Sequence, residues 1–292
     1  MMAYIEELET IPTLRVLLVT NIMDKRFFKN VSALAGVIIS TIFTIVPEEV
    51  FNFKLINYEW SETTIIIVNR LIACFCSFIF AIIVILIYRS VNRSVTISDK
   101  TFSIKVQYKN LIKIKRGKKV ISFDECFSSN VGDRPEDIKP ESLCGQYLRR
   151  HPIDDMKALI QATGLQPNGV SLYQNKDAYK PGTIIPRGKY FLMSFAKLDE
   201  KGLGRLSYDE YLDCLNTLWE QIDCYHGTDD VYIPILGSGI TRIGKELSQQ
   251  DLLDIMVASY RLSPKKMKKP FTLHIVCKRH DDFSLNHVFG VV

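Results

Sequence analysis

The stretch that decides the fold of this 292-residue chain runs from residue 231 to residue 244 and reads VYIPILGSGITRIG. Its first six residues form an apolar run of the length typical of a buried strand, and a helix is predicted soon after its last glycine, Gly244. Glycines at the carboxyl end of a buried strand let backbone N–H groups turn towards one anion, and the next helix adds its positive end. The pattern therefore favours an anion-binding loop over a turn without a ligand.

The glycine spacing excludes two common phosphate-binding patterns. The dinucleotide fingerprint GxGxxG needs its third glycine earlier than Gly244. A Walker loop ends in Gly-Lys followed by a hydroxyl residue, and here Lys245 is followed by Glu246. Arg242 adds a positive charge to the loop.

Strand and helix patterns alternate around this loop from Ser94 onward, which predicts an α/β fold with helices on both faces of a sheet. Apolar runs predict strands at 190–195, 231–236 and 271–277, and β-structure at 102–119 with a turn at Arg116-Gly117 between strands 111–114 and 120–123. Helices are predicted at 153–160, after a capping box of Ser207 and Glu210, and from Ser248 with Asp251 three residues on.

Two apolar segments precede this domain, at 27–46 and 64–88. A helix of about 20 apolar residues spans a bilayer core. The second segment meets that length, and the first does so if Lys29 reaches the interface. A pair of buried core helices is the alternative, but 79–87 leaves no polar face. Asn69 and Arg70 lie within the second segment, where an interfacial arginine and a pore-lining or inter-subunit contact are both open.

The remaining composition narrows the function. The 37 Lys+Arg against 32 Asp+Glu are too closely balanced to indicate nucleic-acid binding. The 7 cysteines lack CxxC spacing, which is typical of a reduced, cytosolic setting. The 5 histidines are dispersed, so neither a metal site nor a cofactor is expected.

The residues that follow the strand at 231–236 resemble the second phosphate-binding loop of macro domains, which are ADP-ribose-binding α/β/α modules. Residues 142–147 fall where the family's first glycine-rich loop lies, 111–127 resembles its opening strands, and 271–277 its late strand. The resemblance implies a three-layer α/β/α macro-like domain with a mixed sheet. It also implies a ligand-binding set: Asn110, Phe123, Asp124, Leu143, Cys144, Gly145, Gln146, Gly237, Ser238, Gly239, Ile240, Thr241, Arg242 and Gly244.

Departures from the macro-domain pattern favour binding over catalysis. Asp124 to Phe127 stands in place of an Asn-rich strand end, Gly145 in place of a triple glycine, and Asn110 in place of the adenine-contacting Asp. Asp124 and Glu125 are the only adjacent carboxylate candidates, and neighbours on a strand face opposite ways. No catalytic residue is therefore assigned.

Two membrane helices followed by such a domain, with the stretch SLCGQYL at 142–148, resemble the membrane-anchored effectors of Thoeris anti-phage systems. The resemblance implies a TIR-domain partner enzyme that makes an ADP-ribose derivative, a histidine adduct in the membrane-effector type. It further implies a homo-oligomer that disrupts the bacterial inner membrane. The expected organisation is a cytosolic or interfacial segment 1–26, an all-α two-helix transmembrane hairpin 27–88 and a macro-like domain 95–292. A membrane-tethered ADP-ribosyl hydrolase and an inert protein-binding scaffold are the alternatives.

The flanking charges predict that both termini face the cytoplasm. Basic residues flank the two segments, and acidic residues dominate the loop between them, as the positive-inside rule requires. The basic residues are Arg15, Lys25, Arg26, Lys29, Arg89 and Arg93, and the loop holds Glu48, Glu49, Glu59 and Glu62 against Lys54. Reporter fusions or cysteine labelling should place Tyr4 and Val292 inside the cell and Asn57 outside. Labelling of position 292 from outside would contradict the charge argument.

Overall fold

The computed structural model describes residues 25–52, 61–91, 94–134, 136–239, 242–243, 247–278, 283–285 and 288. The chain divides into two compact units, Met1–Asn92 and Arg93–Val292. Most of the predicted segment 1–26 lies outside the described residues.

The first unit is a pair of helices, α1 (Lys25–Ile45) and α2 (Glu62–Val91), with a 3-10 turn at Glu48–Phe51. Phe27, Val31 and Ala35 of α1 and Ala81 of α2 form its buried contact. Stretches of 19 and 27 residues in these helices are long and apolar enough to cross a membrane. Only 11% of the apolar stretch in each helix is buried within the structure. Helices in the core of a soluble protein bury far more of their surface, so the exposed apolar surface favours the membrane-span prediction.

Asn69 and Arg70 find partners inside this helix pair. The Asn69 side-chain amide donates a 2.7 Å hydrogen bond to the carbonyl of Phe51. The Arg70 guanidinium lies 3.2 Å from a Glu48 carboxylate oxygen and 5.6–5.7 Å from the ring centres of Phe43 and Phe51. Both polar residues therefore hold the turn between α1 and α2, which gives them a role that needs no second subunit.

The second unit is built on a mixed sheet of nine strands among the described residues. In spatial order the main path is β1 (Ser94–Ser98), β2 (Ser103–Tyr108), β11 (Leu273–Cys277), β9 (Val231–Pro234), β3 (Lys118–Asp124), β7 (Tyr190–Leu198), β8 (Gly204–Leu206) and β10 (Arg242–Ile243). β6 (Ile184–Arg187) also pairs with β7, and β4 (Gly169–Val170) and β5 (Asp177–Ala178) form a separate pair. From β2 to β7 all neighbours are parallel.

Helices cover both faces of the sheet, as predicted. One face packs α5 (Tyr208–Tyr225) and α6 (Gln249–Leu262) around the fully buried Trp219. The other packs α3 (Leu143–Arg150) and α4 (Met156–Ala162) around Tyr147. The three-layer α/β/α prediction is thus confirmed.

The helix starts confirm the local signals that predicted them. Ser207 and Glu210 cap α5 reciprocally, and Ser248 and Asp251 do the same for α6. Such a cap is worth about 0.5–2 kcal/mol of stability. The predicted helix 153–160 begins later, at Met156, because the Asp155 carboxylate accepts the Ala158 N–H and fixes the start.

One predicted strand was wrong. Residues Leu111–Lys113 form a 3-10 turn, because the Asn110 side chain accepts the Ile112 N–H at 3.0 Å and closes the backbone locally. Gly117 (φ +74°) then leads into β3, which pairs in parallel with β7 and β9 instead of forming a hairpin with residues 111–114.

A buried histidine lies in the middle of the parallel strands. The Gln107 amide donates to Nδ1 of His274 at 3.0 Å, Nε2–H of His274 donates to Asp230 at 3.2 Å, and the ring stacks on Tyr232 at 4.2 Å. Burial lowers the pKa of His274, and Lys105 and Lys109 lower it further, whereas Asp230 opposes the change. The neutral imidazole is therefore the form that suits the fold.

Acid should destabilise the second unit through His274. The unfolded chain binds a proton near the ordinary histidine pKa of 6.5 and the folded chain only at lower pH, so the free energy of unfolding falls as pH drops below about 6.5. Thermal unfolding at about pH 7.5 and about pH 5.5 measures the loss. It should be smaller in His274→Gln, and an identical loss in both proteins would contradict this assignment.

Candidate functional site

A cavity of about 540 Å³ lies at the sheet's carboxyl edge. It lies there because β3, β7 and β9 run in parallel, so their carboxyl ends meet at one edge, where α/β proteins place their ligands. The lining residues are 122–124, 136–139, 141–144, 195–196, 198, 202–204 and 234–239.

The glycine loop after β9 forms one wall. Gly237 has φ +81°, and a Cβ there would come within 2.2 Å of the Ile243 side chain, so glycine is required. The Ser238 hydroxyl donates to the carbonyl of Ile235 at 2.7 Å. The N–H groups of Gly237, Ser238 and Gly239 have no acceptor among the described residues, so they remain available to an anion.

The amino end of α3 forms another wall of the cavity. Ser142 caps the helix by accepting the Gly145 N–H at 3.0 Å, and its hydroxyl donates to the Lys139 carbonyl at 2.6 Å. Leu143 and Cys144 line the cavity, and their N–H groups belong to the first helical turn, which has no acceptor within the helix. The helix thus presents its positive end to the cavity.

Gly145 and Gln146 support this wall from behind. A Cβ on Gly145 would lie 2.3 Å from the Lys139 carbonyl oxygen, so the glycine lets the 139–140 backbone pack against the helix. The Gln146 amide donates to the Glu141 carbonyl at 2.7 Å. Both residues fix the loop that precedes α3 and do not line the cavity.

Residues at the end of β3 form a further part of the cavity lining. An Asp124 carboxylate oxygen accepts the N–H groups of Cys126 and Ser128 at 2.9 and 3.0 Å. Burial raises the pKa of Asp124, although these hydrogen bonds oppose the rise. Glu125 is directed elsewhere: its buried carboxylate accepts the Ser171 hydroxyl at 2.5 Å and the Leu198 N–H at 3.0 Å. The two carboxylates therefore engage different partners, as the strand alternation predicts.

Charged side chains around the cavity are mainly acidic. Asp124, Glu136, Asp137 and Glu141 line it, against the single cation Lys139 among the described lining residues. The Lys139 ammonium group already donates to the carbonyls of Asp133 and Arg134 at 2.8 and 2.6 Å. Among the described lining residues, the groups that can attract phosphate are therefore the backbone N–H groups and the end of α3.

The structure brings half of the predicted ligand-binding residues together and places others elsewhere. Phe123, Asp124, Leu143, Cys144, Gly237, Ser238 and Gly239 line the cavity. Asn110 instead caps the turn at 111–113. Arg242 belongs to β10 through its backbone, and its side chain is not described, while Ile240, Thr241 and Gly244 lie outside the described residues. Their roles in binding stay predictions.

The segments of the cavity wall that sequence reasoning missed include 136–139, 195–196 and 202–204. Gly202 and Gly204 in the sequence were the available signal, because glycines mark close backbone approach. Among the described residues no group of His, Cys, Asp and Glu could hold a metal ion.

Comparison with known proteins agrees with the α/β/α architecture. A family model described as the macro domain of Thoeris protein ThsA matches residues 104–278. The Thoeris protein ThsA of Bacillus amyloliquefaciens (strain Y2) is 27% identical over 208 residues, which cover 66% of this chain and 68% of that protein.

Solved structures similar to this chain include macrodomain structures from Oceanobacillus iheyensis. One point mutant is 8% identical, covers 65% of this chain and 92% of its own, and has a TM-score of 0.41. Another, solved with ADPR, is 9% identical with coverages of 64% and 92% and a TM-score of 0.37.

The second unit is a macro domain, with its cavity at the carboxyl edge of the central strands. The chain belongs to the Thoeris ThsA macro domain family. That membership connects the chain to anti-phage defence, with ligand binding as the role of the macro domain.

A substitution at Gly145 tests whether close packing against the Lys139 carbonyl stabilises this part of the cavity wall. Gly145→Ala should lower the free energy of unfolding by about 1–3 kcal/mol, because the added methyl group meets a backbone carbonyl that cannot rotate away. Denaturant unfolding measures the change. Gly169→Ala, where the added methyl group meets nothing within 4 Å, is the matched control. Equal stability of the two variants would show that Gly145 is not held by packing.

Proposed function

We propose that the chain is a membrane-anchored anti-phage effector whose macro domain binds an ADP-ribose derivative, the histidine adduct, made by a TIR-domain partner. Binding leads the full-length protein to oligomerise and to disrupt the membrane. The observation that carries the proposal is the cavity, which is lined both by Gly237 to Gly239, whose N–H groups have no acceptor among the described residues, and by the amino end of α3.

The two walls suit a pyrophosphate. N–H groups of a glycine loop and of a first helical turn bind phosphate oxygens directly, without a charged side chain. A cavity of about 540 Å³ is within the range of small-molecule sites. Asp124 and Phe123 at the end of β3 leave an acidic and an apolar surface for the rest of the ligand.

The acidic lining supports an adduct over plain ADP-ribose. A free pyrophosphate brings two negative charges beside Glu136, Asp137 and Glu141, whereas the amino group of a histidine adduct brings a compensating positive charge. Electrostatic complementarity of this kind gives selectivity between ligands that share the same phosphates.

The two N-terminal helices are the part of the effector that would disrupt the membrane. A ligand shifts an equilibrium only by binding one state better than the other, so ligand binding must favour an associated state of the chain. In sequence only residues 92 and 93 separate α2 from β1, which leaves little slack to absorb a change in the association of macro domains. Both ends of the chain are then on the cytoplasmic side, where the signal is made.

Hydrolysis of the ligand is the alternative function. Asp124 is the cavity carboxylate whose pKa burial raises, which is a property of some catalytic acids and bases. Its Oδ1, however, is occupied by two backbone N–H groups, and the neighbouring Glu125 is bound to Ser171 and Leu198. Product analysis in the experiment below distinguishes binding from turnover.

Gly239→Glu tests the proposal. The glycine is exposed and has open space around its Cα, so the fold should survive while a carboxylate stands where the phosphates bind. Calorimetry with ADP-ribose and its histidine adduct should show tight binding by the unmodified chain, tighter for the adduct, and none by the variant. Ligand should enlarge the detergent-solubilised protein and make liposomes leak, and the variant should do neither.

Two controls complete the experiment. Gly169→Glu adds the same charge at another open glycine, outside the cavity lining, and should leave all three readouts unchanged. Deletion of residues 1–94 should abolish leakage and leave ligand binding intact. Consumption of the ligand by the full-length protein, without a change in size or leakage, would replace the effector proposal with the hydrolase.

A further inference from the structure

Leu236 immediately precedes the glycine loop, and side chains of two helices bond to both of its backbone groups. The Tyr211 hydroxyl of α5 donates to the carbonyl of Leu236 at 3.1 Å. The N–H of the same residue donates to the Met256 sulfur of α6 at 3.4 Å. Tyr211, Met256 and Leu236 are each at most 1% exposed, so these bonds are shielded from water.

These bonds decide which backbone groups of the loop face the cavity. The Tyr211 hydroxyl occupies the Leu236 carbonyl and the Ser238 hydroxyl occupies the Ile235 carbonyl, so two acceptors that would repel phosphate are engaged within the protein. The next three N–H groups, from Gly237 to Gly239, have no acceptor among the described residues. Among the described residues, the two carbonyls that precede the glycines are thus engaged, and the three N–H groups that follow have no acceptor.

Tyr211 suits this role chemically. Burial raises the pKa of Tyr211, so its hydroxyl keeps its proton and remains a donor at neutral pH. Its ring packs edge-on against Phe195, itself a lining residue, which fixes the direction of the hydroxyl. Phenylalanine has the same ring and lacks the donor.

We propose that Tyr211 is a positioning residue for ligand binding: through the Leu236 carbonyl it orients the peptide that aims the Gly237–Gly239 N–H groups at the phosphates of the ligand. The inference rests on the proposed function, since it concerns the same cavity. Tyr211 itself does not line the cavity and makes no contact with the ligand in this proposal.

The test compares Tyr211→Phe with Tyr260→Phe in the full chain. Tyr260 is equally buried in the same core, packs against Trp219 and Phe102, and its hydroxyl does not bond to the described part of the loop. Tyr211→Phe should weaken ADP-ribose binding in calorimetry about tenfold, the effect of one lost buried hydrogen bond, whereas Tyr260→Phe should not. Hydrogen–deuterium exchange should accelerate at the buried Leu236 N–H, which bonds to Met256, in Tyr211→Phe alone.

The outcomes separate this inference from the proposed function. If the unmodified chain binds neither ADP-ribose nor its histidine adduct, the proposed function is wrong and the inference falls with it. If it binds, and both phenylalanine variants bind equally well with unchanged exchange at the Leu236 N–H, the inference alone is wrong. Should Tyr211→Phe fail to fold, Met256→Leu removes the acceptor of the Leu236 N–H, and it should weaken binding and accelerate the same exchange.

Discussion

The parallel pairing of β9 with β3 and β11 determines where everything else in the second unit lies. Val231 pairs with Lys118 on one side and with Leu273 on the other, so three strands end at one edge of the sheet. The loops that leave these ends must share that edge, and helices on both faces close it from above and below. The cavity is a consequence of the register, before any side chain contributes to it.

Short sequence patterns were sufficient to predict most helices and strands. Features that depend on contacts between residues distant in sequence could not be predicted in this way. Ser207 with Glu210 and Ser248 with Asp251 interact within one turn, so the sequence was sufficient to predict both helix starts. The strand prediction at 111–114 was wrong because a single side chain, Asn110, outweighed the alternation of apolar residues. The reason for glycine at position 145 is a carbonyl six residues away, which no periodicity reveals.

The same distinction between local patterns and distant contacts applies to the candidate site. Sequence reasoning found the glycine loop and the start of α3, because strand, glycine and helix follow one another directly along the chain. It assigned Asn110 to the site, although the structure places that residue at a turn, and it missed the walls at 136–139 and 202–204, which reach the cavity only through tertiary packing. The acidic lining became visible only when these segments came together.

The surroundings of one lining residue, Cys144, determine how readily its thiol reacts. Burial raises the pKa of the Cys144 thiol well above its usual range, with Asp124 adding to the effect. The thiolate is the form that oxidants and electrophiles attack, so this sulfur is slow to react at neutral pH. Cys224, which is exposed, has no such protection from solvent. Oxidants and electrophiles should therefore react at the exposed thiol of Cys224 before they react at the Cys144 sulfur.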